Sequence, residues 1–177
     1  HNYLGSTPGR EPKTAWNDDQ PLLPIHLIDG DPETAWASGG GNTPDAQPEW
    51  IRIDLPEETT VSAVSLICCQ AGPGGHTIMH NKPGKLLPRS LSVRLSCDAR
   101  QWETVFESDQ FSGNASGVTV IHFAPRRAKQ IWVVGQDLPM MDLFGCVFSI
   151  GQIEVLDPRG NDLALISRGA GVTVSST

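Results

Sequence analysis

HLIDGDPETAW, residues 26–36, is the stretch that decides the interpretation of this chain. It places two Asp, a Gly, a Pro and a Thr hydroxyl in one short loop that ends on Trp36. Such residues are typical of sharp bends, and a sharp bend turns several backbone carbonyls to one side. Carbonyl, carboxylate and hydroxyl oxygens together suit calcium better than zinc or iron, although an ordinary tight turn with solvated acids is the alternative. The loop is not an EF-hand, because Gly40 stands where that loop requires its last Glu.

The rest of the chain alternates short β-branched runs with Gly, Pro, Asn and Asp. No segment has a long apolar stripe at helical spacing, so helices are expected to be few and short. Many short strands at this spacing predict an all-β fold, a β-sandwich. The candidate strands are residues 50–55, 61–69, 90–97, 103–107, 118–123, 130–135 and 148–156.

An ordered series of short patterns resembles one known fold. I-D-G-D-x-x-T-x-W in the opening loop is followed by W-I-x-I-D-L at residues 50–55 and V-x-x-V-x-L at residues 61–66. Later landmarks lie at residues 90–96, 101–103 and 150–155. The series resembles the discoidin fold, whose superfamily includes coagulation factor V/VIII C-type domains and galactose-binding-like carbohydrate-binding modules. The resemblance covers roughly residues 16 to 157 and implies a jelly-roll β-sandwich with loops gathered at one end.

The domain boundary is expected after the last landmark strand. We assign residues 1–157 to the discoidin-like module and residues 158–177 to a linker or the first strand of a following domain. The Asp157-Pro158-Arg159-Gly160 turn marks the boundary. The tail resembles the first strand of the next module in polysaccharide-degrading enzymes, and the alternative is a final strand that pairs back onto this sandwich. Because the chain begins at His1 without a Met, we expect a processed or excised piece.

Charge and hydropathy limit the possible partners. The net charge of −7 would repel a phosphate backbone, so no nucleic acid is expected as a partner. No apolar run approaches the roughly 20 residues that cross a bilayer, so no transmembrane segment is expected. The four cysteines contain no C-x-x-C spacing, and four cysteines allow three disulfide pairings. Free thiols are favoured, with Cys68 and Cys97 pointing into the core by strand parity.

The resemblance implies a structural ion, calcium or alternatively sodium. In the family, the last strand adds a carbonyl and a Glu side chain, but here Gln152 replaces that Glu and removes one negative charge. The ion would tie the loop to the final strand rather than take part in chemistry. The implied ligands are the carbonyl of His26, the carboxylate of Asp29, the carbonyl of Asp31, both oxygens of Thr34, the carbonyl of Gly151 and the amide of Gln152.

The sugar-binding residues of the family are replaced in this chain. Galactose-binding members often carry a His and an Arg at positions that look like Ala37 and Cys69 here. Neither residue can form the hydrogen bonds that fix a sugar hydroxyl. The Gly- and Pro-rich insertion at residues 70–88 is the place for substitutes, although a solvated loop without a specific role is the alternative. The candidate ligand-binding residues are His76, His80, Asn81 and, at the edge of the insertion, Arg89.

No catalytic motif is evident. The chain has no G-x-S-x-G, no H-E-x-x-H and no phosphate-binding glycine loop. Tryptophans are common in sugar sites, but Trp36, Trp50 and Trp132 occupy landmark or alternating positions where burial in the core is expected. We therefore do not expect an enzyme.

Two functions follow from these observations. The first is a non-catalytic carbohydrate-binding module that targets an attached extracellular glycan-active enzyme, such as a glycoside hydrolase, to its polysaccharide. Such a protein would be secreted and act outside the cell, at the cell surface or in the periplasm. The second is a structural or protein-interaction module that packs against the neighbouring catalytic domain and binds no sugar. Ala37 and Cys69 favour the second function, and the insertion at residues 70–88 favours the first.

Overall fold

A computed structural model describes residues 22–39, 47–68, 86–141 and 145–176. Within these ranges the chain is built from strands with two short 3-10 helices, Pro24–Leu27 and Ile166–Arg168. The predicted all-β class with few, short helices is confirmed. The strands are β1 (Trp36–Ala37), β2 (Glu49–Ile67), β3 (Ser90–Ser96), β4 (Glu103–Ser108), β5 (Val118–Gln136), β6 (Met140–Met141), β7 (Gly145–Cys146), β8 (Ser149–Ile150), β9 (Gln152–Leu156) and β10 (Gly171–Val174).

The main sheet is antiparallel and is organised around two long strands. Its order is β10-β2-β5-β3-β4, and β9 pairs with the second half of β2. The first half of β2 pairs with the second half of β5, and the second half of β2 pairs with the first half of β5. Two small pairs, β1 with β8 and β6 with β7, lie outside this sheet.

Both long strands contain register shifts where sequence analysis predicts separate strands. Residues 55–58 of β2 lie opposite Lys129 alone, because Asp54 pairs with Gln130 and Thr59 pairs with Ala128. Such a bulge bends a strand, and Pro56 is tolerated there because the ladder needs no N–H at that point. The strands predicted at 50–55 and 61–69 are thus two halves of β2, and those predicted at 118–123 and 130–135 are two halves of β5.

The core is formed by the alternate residues of these strands. Ile51 and Ile53 of β2 and Ile131 and Val133 of β5 are fully buried. Complete burial of such a side chain contributes about 1.5–3 kcal/mol. Trp36 packs edge-on against Phe148, with 5.5 Å between ring centroids. The other face of the same strands is therefore left for polar and amphipathic side chains.

Residues 171–174 of the C-terminal tail form β10 of this sheet. β10 pairs antiparallel with β2, from Gly171 opposite Asp54 to Val174 opposite Ile51. The Trp36 indole donates to the Ser176 carbonyl at 3.2 Å. The first half of β2 would otherwise be an open edge, and unpaired strand edges attract any strand within reach. β10 occupies this edge, as the alternative of a final strand that pairs back predicts, and the module boundary after residue 157 stays a prediction.

The cysteines differ from the expectation at one position. Cys68 and Cys146 are buried, but Cys97 is exposed, so its predicted inward orientation is wrong. Cys97 lies one residue beyond the end of β3 at Ser96, so the alternation of side chains along the strand no longer sets its orientation. Cys97 and Cys146 are free thiols, and Cys69 lies outside the described residues.

Candidate functional site

The Asp29–Thr34 turn brings three of the predicted ion ligands together. One carboxylate oxygen of Asp29 accepts the Asp31 N–H at 2.9 Å, and the other accepts the Thr34 hydroxyl at 2.9 Å. The same hydroxyl lies 3.0 Å from the Asp31 carbonyl oxygen. Gly30, at φ 80°, supplies the left-handed backbone that the bend requires. The turn thus gathers a carboxylate, a carbonyl and a hydroxyl oxygen around one point, which is the donor chemistry of a hard cation.

The remaining predicted ligands flank this turn. His26 lies in the first 3-10 helix, and its ring nitrogen Nδ1 is 3.1 Å from the Ala35 carbonyl. Trp36 pairs with Ile150 in the β1–β8 ladder, and the same register, continued by two residues, would set Thr34 opposite Gln152. Gln152 is buried at the start of β9. Among the described residues, no group of three or more His, Cys, Asp or Glu side chains could hold a metal. Carbonyl and hydroxyl oxygens would therefore have to supply most of the ligands.

The predicted sugar-binding residues fall largely outside the described part of the chain. His76, His80 and Asn81 lie there, as does Cys69. Arg89 is described and is exposed: its Nη2 donates to the Gln110 side chain at 3.1 Å, and its Nε lies 3.9 Å from the Asp137 carboxylate.

Ala37, at the position of the family's sugar-binding His, is buried in β1 opposite Ser149. Its methyl side chain offers no hydrogen bond to a ligand. The usual arrangement for galactose binding therefore finds no counterpart at Ala37.

A second turn, residues 97–103, runs from the end of β3 to the first residue of β4 and lines a surface hollow of about 330 Å³. The Asp98 carboxylate accepts the N–H groups of Arg100 and Gln101 at 2.8 and 2.9 Å. Ala99 has a φ of 61°, the left-handed region that favours glycine. The lining includes Ser96, Cys97, Asp98, Gln101, Trp102, Glu103 and Arg127. An aromatic ring beside carboxylates, an amide and a guanidinium is the composition of a small polar ligand site.

Electrostatics distinguish two groups in this hollow. The N–H donors of Gln101 and Arg100 lower the pKa of Asp98, so its carboxylate is charged over the whole neutral range. Desolvation and then the Glu58 carboxylate raise the pKa of the Cys97 thiol. The Cys97 Sγ lies 3.3 Å from the Arg127 carbonyl oxygen.

Tryptophans on the outer face of the main sheet adjoin the hollow. Trp132 is half-buried, with Trp102 at 5.1 Å and Trp50 at 6.0 Å between ring centroids. The Arg94 guanidinium lies 5.7 Å from the centre of the Trp132 ring. The expectation that Trp50 and Trp132 lie in the core is wrong: only Trp36, of the three, is fully buried. The alternation of side chains along β2 could have predicted this, because Ile51 and Ile53 point into the core and Trp50 must therefore point to the opposite face.

A family model matches residues 26–133, more than half of the chain, and it describes the NedA-like, galactose-binding domain of the F5/F8 type C group. The chain belongs to this family. The resemblance to the discoidin group is thereby confirmed, on a range that includes the Asp29–Thr34 turn and the hollow at residues 97–103. No sequence among the curated proteins matches the chain.

Solved structures with the same fold include carbohydrate-binding modules. Chitosan-binding module 1 of a chitosanase/glucanase from Paenibacillus sp. IK-5 is 23% identical over 76% of this chain and 84% of that chain, with a TM-score of 0.54. Chitosan-binding module 2 of that enzyme, in complex with chitotriose, is 22% identical over 85% and 88%, with a TM-score of 0.51. CBM32-3 from a family 31 glycoside hydrolase of Clostridium perfringens is 15% identical over 75% and 80%, with a TM-score of 0.57. At these identities the likeness establishes the fold.

Membrane insertion through a helix finds no support in the described ranges. The two 3-10 helices there have four and three residues, and no helix is long and apolar enough to cross a bilayer.

Proposed function

We propose that this chain is a non-catalytic carbohydrate-binding module of an extracellular glycan-active enzyme. Membership of the galactose-binding-like family, within a fold shared with several carbohydrate-binding modules, carries the proposal. Two of those modules come from a chitosanase/glucanase and a family 31 glycoside hydrolase, which supports an enzyme as the parent protein.

The module would act by targeting. A binding domain tethered to an enzyme makes the encounter of catalytic domain and polysaccharide effectively intramolecular, which raises the local substrate concentration without adding reactive groups. The rigid sheet formed by β2, β5 and β3 would hold the recognition loops in place. In such a protein, recognition residues lie on loops and turns at the ends of strands.

A bound calcium or sodium ion would have a structural role in this proposal. Asp29, Asp31 and Thr34 would hold it with their clustered oxygens, and His26, Gly151 and Gln152 would complete the set from neighbouring segments. The ion would neutralise the Asp29 carboxylate and fix the turn against β9. Gln152 contributes an amide oxygen where the family pattern has a carboxylate, so binding is expected to be weak.

Affinity electrophoresis and a glycan array with the purified chain test the proposal. At least one polysaccharide should retard the chain, and no hydrolysis or elimination product should accumulate in the same samples. Turnover that a single substitution abolishes would contradict a non-catalytic module. Absence of binding to every glycan would contradict carbohydrate recognition.

The second candidate is a structural module that packs against a neighbouring catalytic domain. Ala37 favours it, because this buried residue has no side-chain hydrogen-bonding group where galactose-binding members often carry a His. This candidate predicts no retardation on any glycan, together with stable association between the chain and its parent catalytic domain. Co-purification of the two separately expressed pieces would measure that association.

A further inference from the structure

The hollow at residues 97–103 has the size and the position of a separate binding site. Its volume of about 330 Å³ lies at the lower end of the range of small-molecule pockets, about 300–1,000 Å³. It opens where β3 ends, whereas Arg89 and the insertion at residues 70–88 precede the start of β3. The seven residues of β3 span about 20 Å at roughly 3.3 Å per residue. A ligand in the hollow would therefore not contact Arg89.

Trp102 provides the apolar wall of this hollow. Its ring packs at 55° to that of Trp132, and the rings of Trp132 and Trp50 are nearly perpendicular at 87°. The packing holds Trp102 in one orientation and leaves it half-buried at the hollow. A pyranose ring presents C–H groups on its face, and these pack on the electron-rich face of an indole. The three rings are not coplanar, so the cluster does not form the flat platform that a crystalline polysaccharide surface would need.

The polar groups of the hollow are already fixed by the protein. Asp98 is held by two backbone N–H groups, and Glu103 receives the Arg126 guanidinium at 3.1 Å. Arg127 donates to the Glu58 carboxylate at 3.0 Å and to the Glu58 carbonyl at 3.1 Å. Groups that are ordered before binding lose little conformational freedom when a ligand arrives. They can accept from and donate to sugar hydroxyls in a defined geometry.

The charge of the lining selects among sugars. Asp98 and Glu103 contribute two carboxylates to the lining and Arg127 contributes one guanidinium, so the lining carries one net negative charge. Glu103 is paired with Arg126 and Arg127 with Glu58, which leaves Asp98 as the lining carboxylate held by backbone N–H groups alone. The whole chain carries a net charge of −7. An anionic sugar would meet repulsion here, whereas hydroxyl and amino groups would find acceptors.

Unpaired polar atoms lie beside the hollow. In the described part of the chain, four buried side-chain atoms have no hydrogen-bond partner, and three belong to Arg94, Gln130 and Trp132 on the outer face of the main sheet. Gln130 is 8% exposed and lies directly opposite Ser96, a residue that lines the hollow. These atoms are buried and do not line the hollow, so hydrogen bonds to a ligand would come from the lining side chains Asp98, Gln101 and Glu103.

We propose that this hollow binds a pyranose unit of a neutral or amino-bearing glycan, at the opposite end of β3 from Arg89. Trp102 packs against the sugar ring, and Asp98, Gln101 and Glu103 accept from or donate to its hydroxyl or amino groups. The inference rests on the proposed carbohydrate-binding function and adds the place and the chemical class of the ligand.

Alkylation of Cys97 tests the site in the unaltered protein. Cys97 is exposed at the hollow, and iodoacetamide labelling followed by peptide mass spectrometry measures its reaction rate by itself. Saturating neutral or glucosamine oligosaccharide should slow alkylation of Cys97 several-fold, and a galacturonate oligosaccharide at the same concentration should not. An unchanged rate in the presence of a saturating glycan overturns the hollow as the site.

Variants separate this inference from the proposed function. Trp102→Ala should weaken the affinity for the glycan at least tenfold, and Trp102→Phe, which keeps a ring for stacking and guards against misfolding, should weaken it less. Gln101→Ala should also weaken binding, whereas Trp50→Phe, outside the hollow, should bind like wild type. Loss of binding in His80→Ala with Asn81→Ala, but not in the Trp102 variants, overturns the hollow and leaves the proposed function standing. Wild-type protein that binds no glycan overturns both.

Discussion

The Asp29–Thr34 turn and the turn at residues 97–103 share the same backbone arrangement but are surrounded by different side chains. Each begins with an Asp that accepts backbone N–H groups two or three residues ahead, followed by a residue with left-handed backbone, Gly30 or Ala99. In the first turn the Asp, a carbonyl and a hydroxyl converge on one another within 3.0 Å. In the second, the oxygens line an open hollow beside Trp102.

The difference shows that backbone geometry alone does not decide what a turn can bind. Converging oxygens without an aromatic ring suit a cation, which needs ligands on several sides. Carboxylates spread around an indole suit a sugar, which needs an apolar face and a few directed hydrogen bonds. From the side chains that surround each turn, we therefore propose a structural ion for the first turn and a glycan for the second.

Asp29→Ala tests the first assignment and carries the largest expected effect. Loss of two hydrogen bonds to a carboxylate should lower the free energy of unfolding by about 2–3 kcal/mol, and any stabilisation by added calcium should disappear. Chemical denaturation with calcium and with a chelator measures both effects. Asp31→Ala is the matched control: it removes a carboxylate that accepts the exposed Glu33 N–H, while the Asp31 carbonyl, the proposed ligand, remains. An Asp29→Ala effect that is equal with and without calcium, in a wild type insensitive to chelator, would argue against an ion.

Exchanging the left-handed residues tests whether the two turns share the same backbone requirement. Gly30→Ala should destabilise the protein by about 1–2 kcal/mol, because its φ is 80° and an added Cβ would meet the Leu165 side chain at 3.4 Å. Ala99→Gly should have the opposite sign and stabilise by up to about 1 kcal/mol, since it relieves a non-glycine residue at φ 61°. Thermal unfolding of the two single variants measures the effects. If both variants changed stability in the same direction, the two turns would not share the requirement for a left-handed residue.

Gln152→Glu should sharpen the cation assignment by restoring a negative charge beside the first turn. We expect calcium to bind about tenfold more tightly, worth about 1.4 kcal/mol. Without calcium the variant should be less stable than wild type, because Gln152 is only 7% exposed and a carboxylate there would be desolvated. Isothermal titration calorimetry with calcium, beside Gln152→Ala as the variant without the amide, measures the change. Equal calcium affinities in all three proteins would remove Gln152 from the ligand set.

The smallest expected effect concerns the charge of Asp98. Its pKa is lowered, so its contribution to stability is present above the ordinary value of 3.8 and is lost as pH falls through the lower folded value. Asp98→Asn keeps an oxygen for the same N–H groups and should therefore be slightly less stable than wild type at pH 7, with the gap closing in acid. Denaturation from pH 7 to pH 2 measures the gap, and a constant gap would show that the charge contributes nothing.

Glu154 provides a control for that titration, because its pKa is shifted in the opposite direction to that of Asp98. Burial, and then the nearby Asp162 carboxylate, raise the pKa of Glu154 above 4.5. A raised carboxyl pKa favours the folded state at low pH and loses that contribution as pH rises through the folded value. The free energy of unfolding of Glu154→Gln, minus that of wild type, should therefore be larger at pH 7 than in acid.

The all-β fold could be predicted from the sequence because its apolar positions alternate and its short patterns follow the order seen in the family. It predicted the convergence of Asp29, Asp31 and Thr34 because these residues are close along the chain. It left open whether the tail pairs back onto the sandwich, since the strand edge that β10 covers exists only once the sheet has formed. The hollow was missed for a similar reason: Arg127 reaches residues 97–103 only through the pairing of β3 with β5.

A single titration followed by amide chemical shifts measures the division between the two turns most directly. Added calcium should shift the amides of residues 29–36 and of Gly151 and Gln152, and a neutral oligosaccharide added afterwards should shift those of residues 96–103 and Arg127. A glycan that shifts only amides around residues 70–89, or calcium and glycan acting on the same turn, would contradict the assignment of an ion to one turn and a sugar to the other.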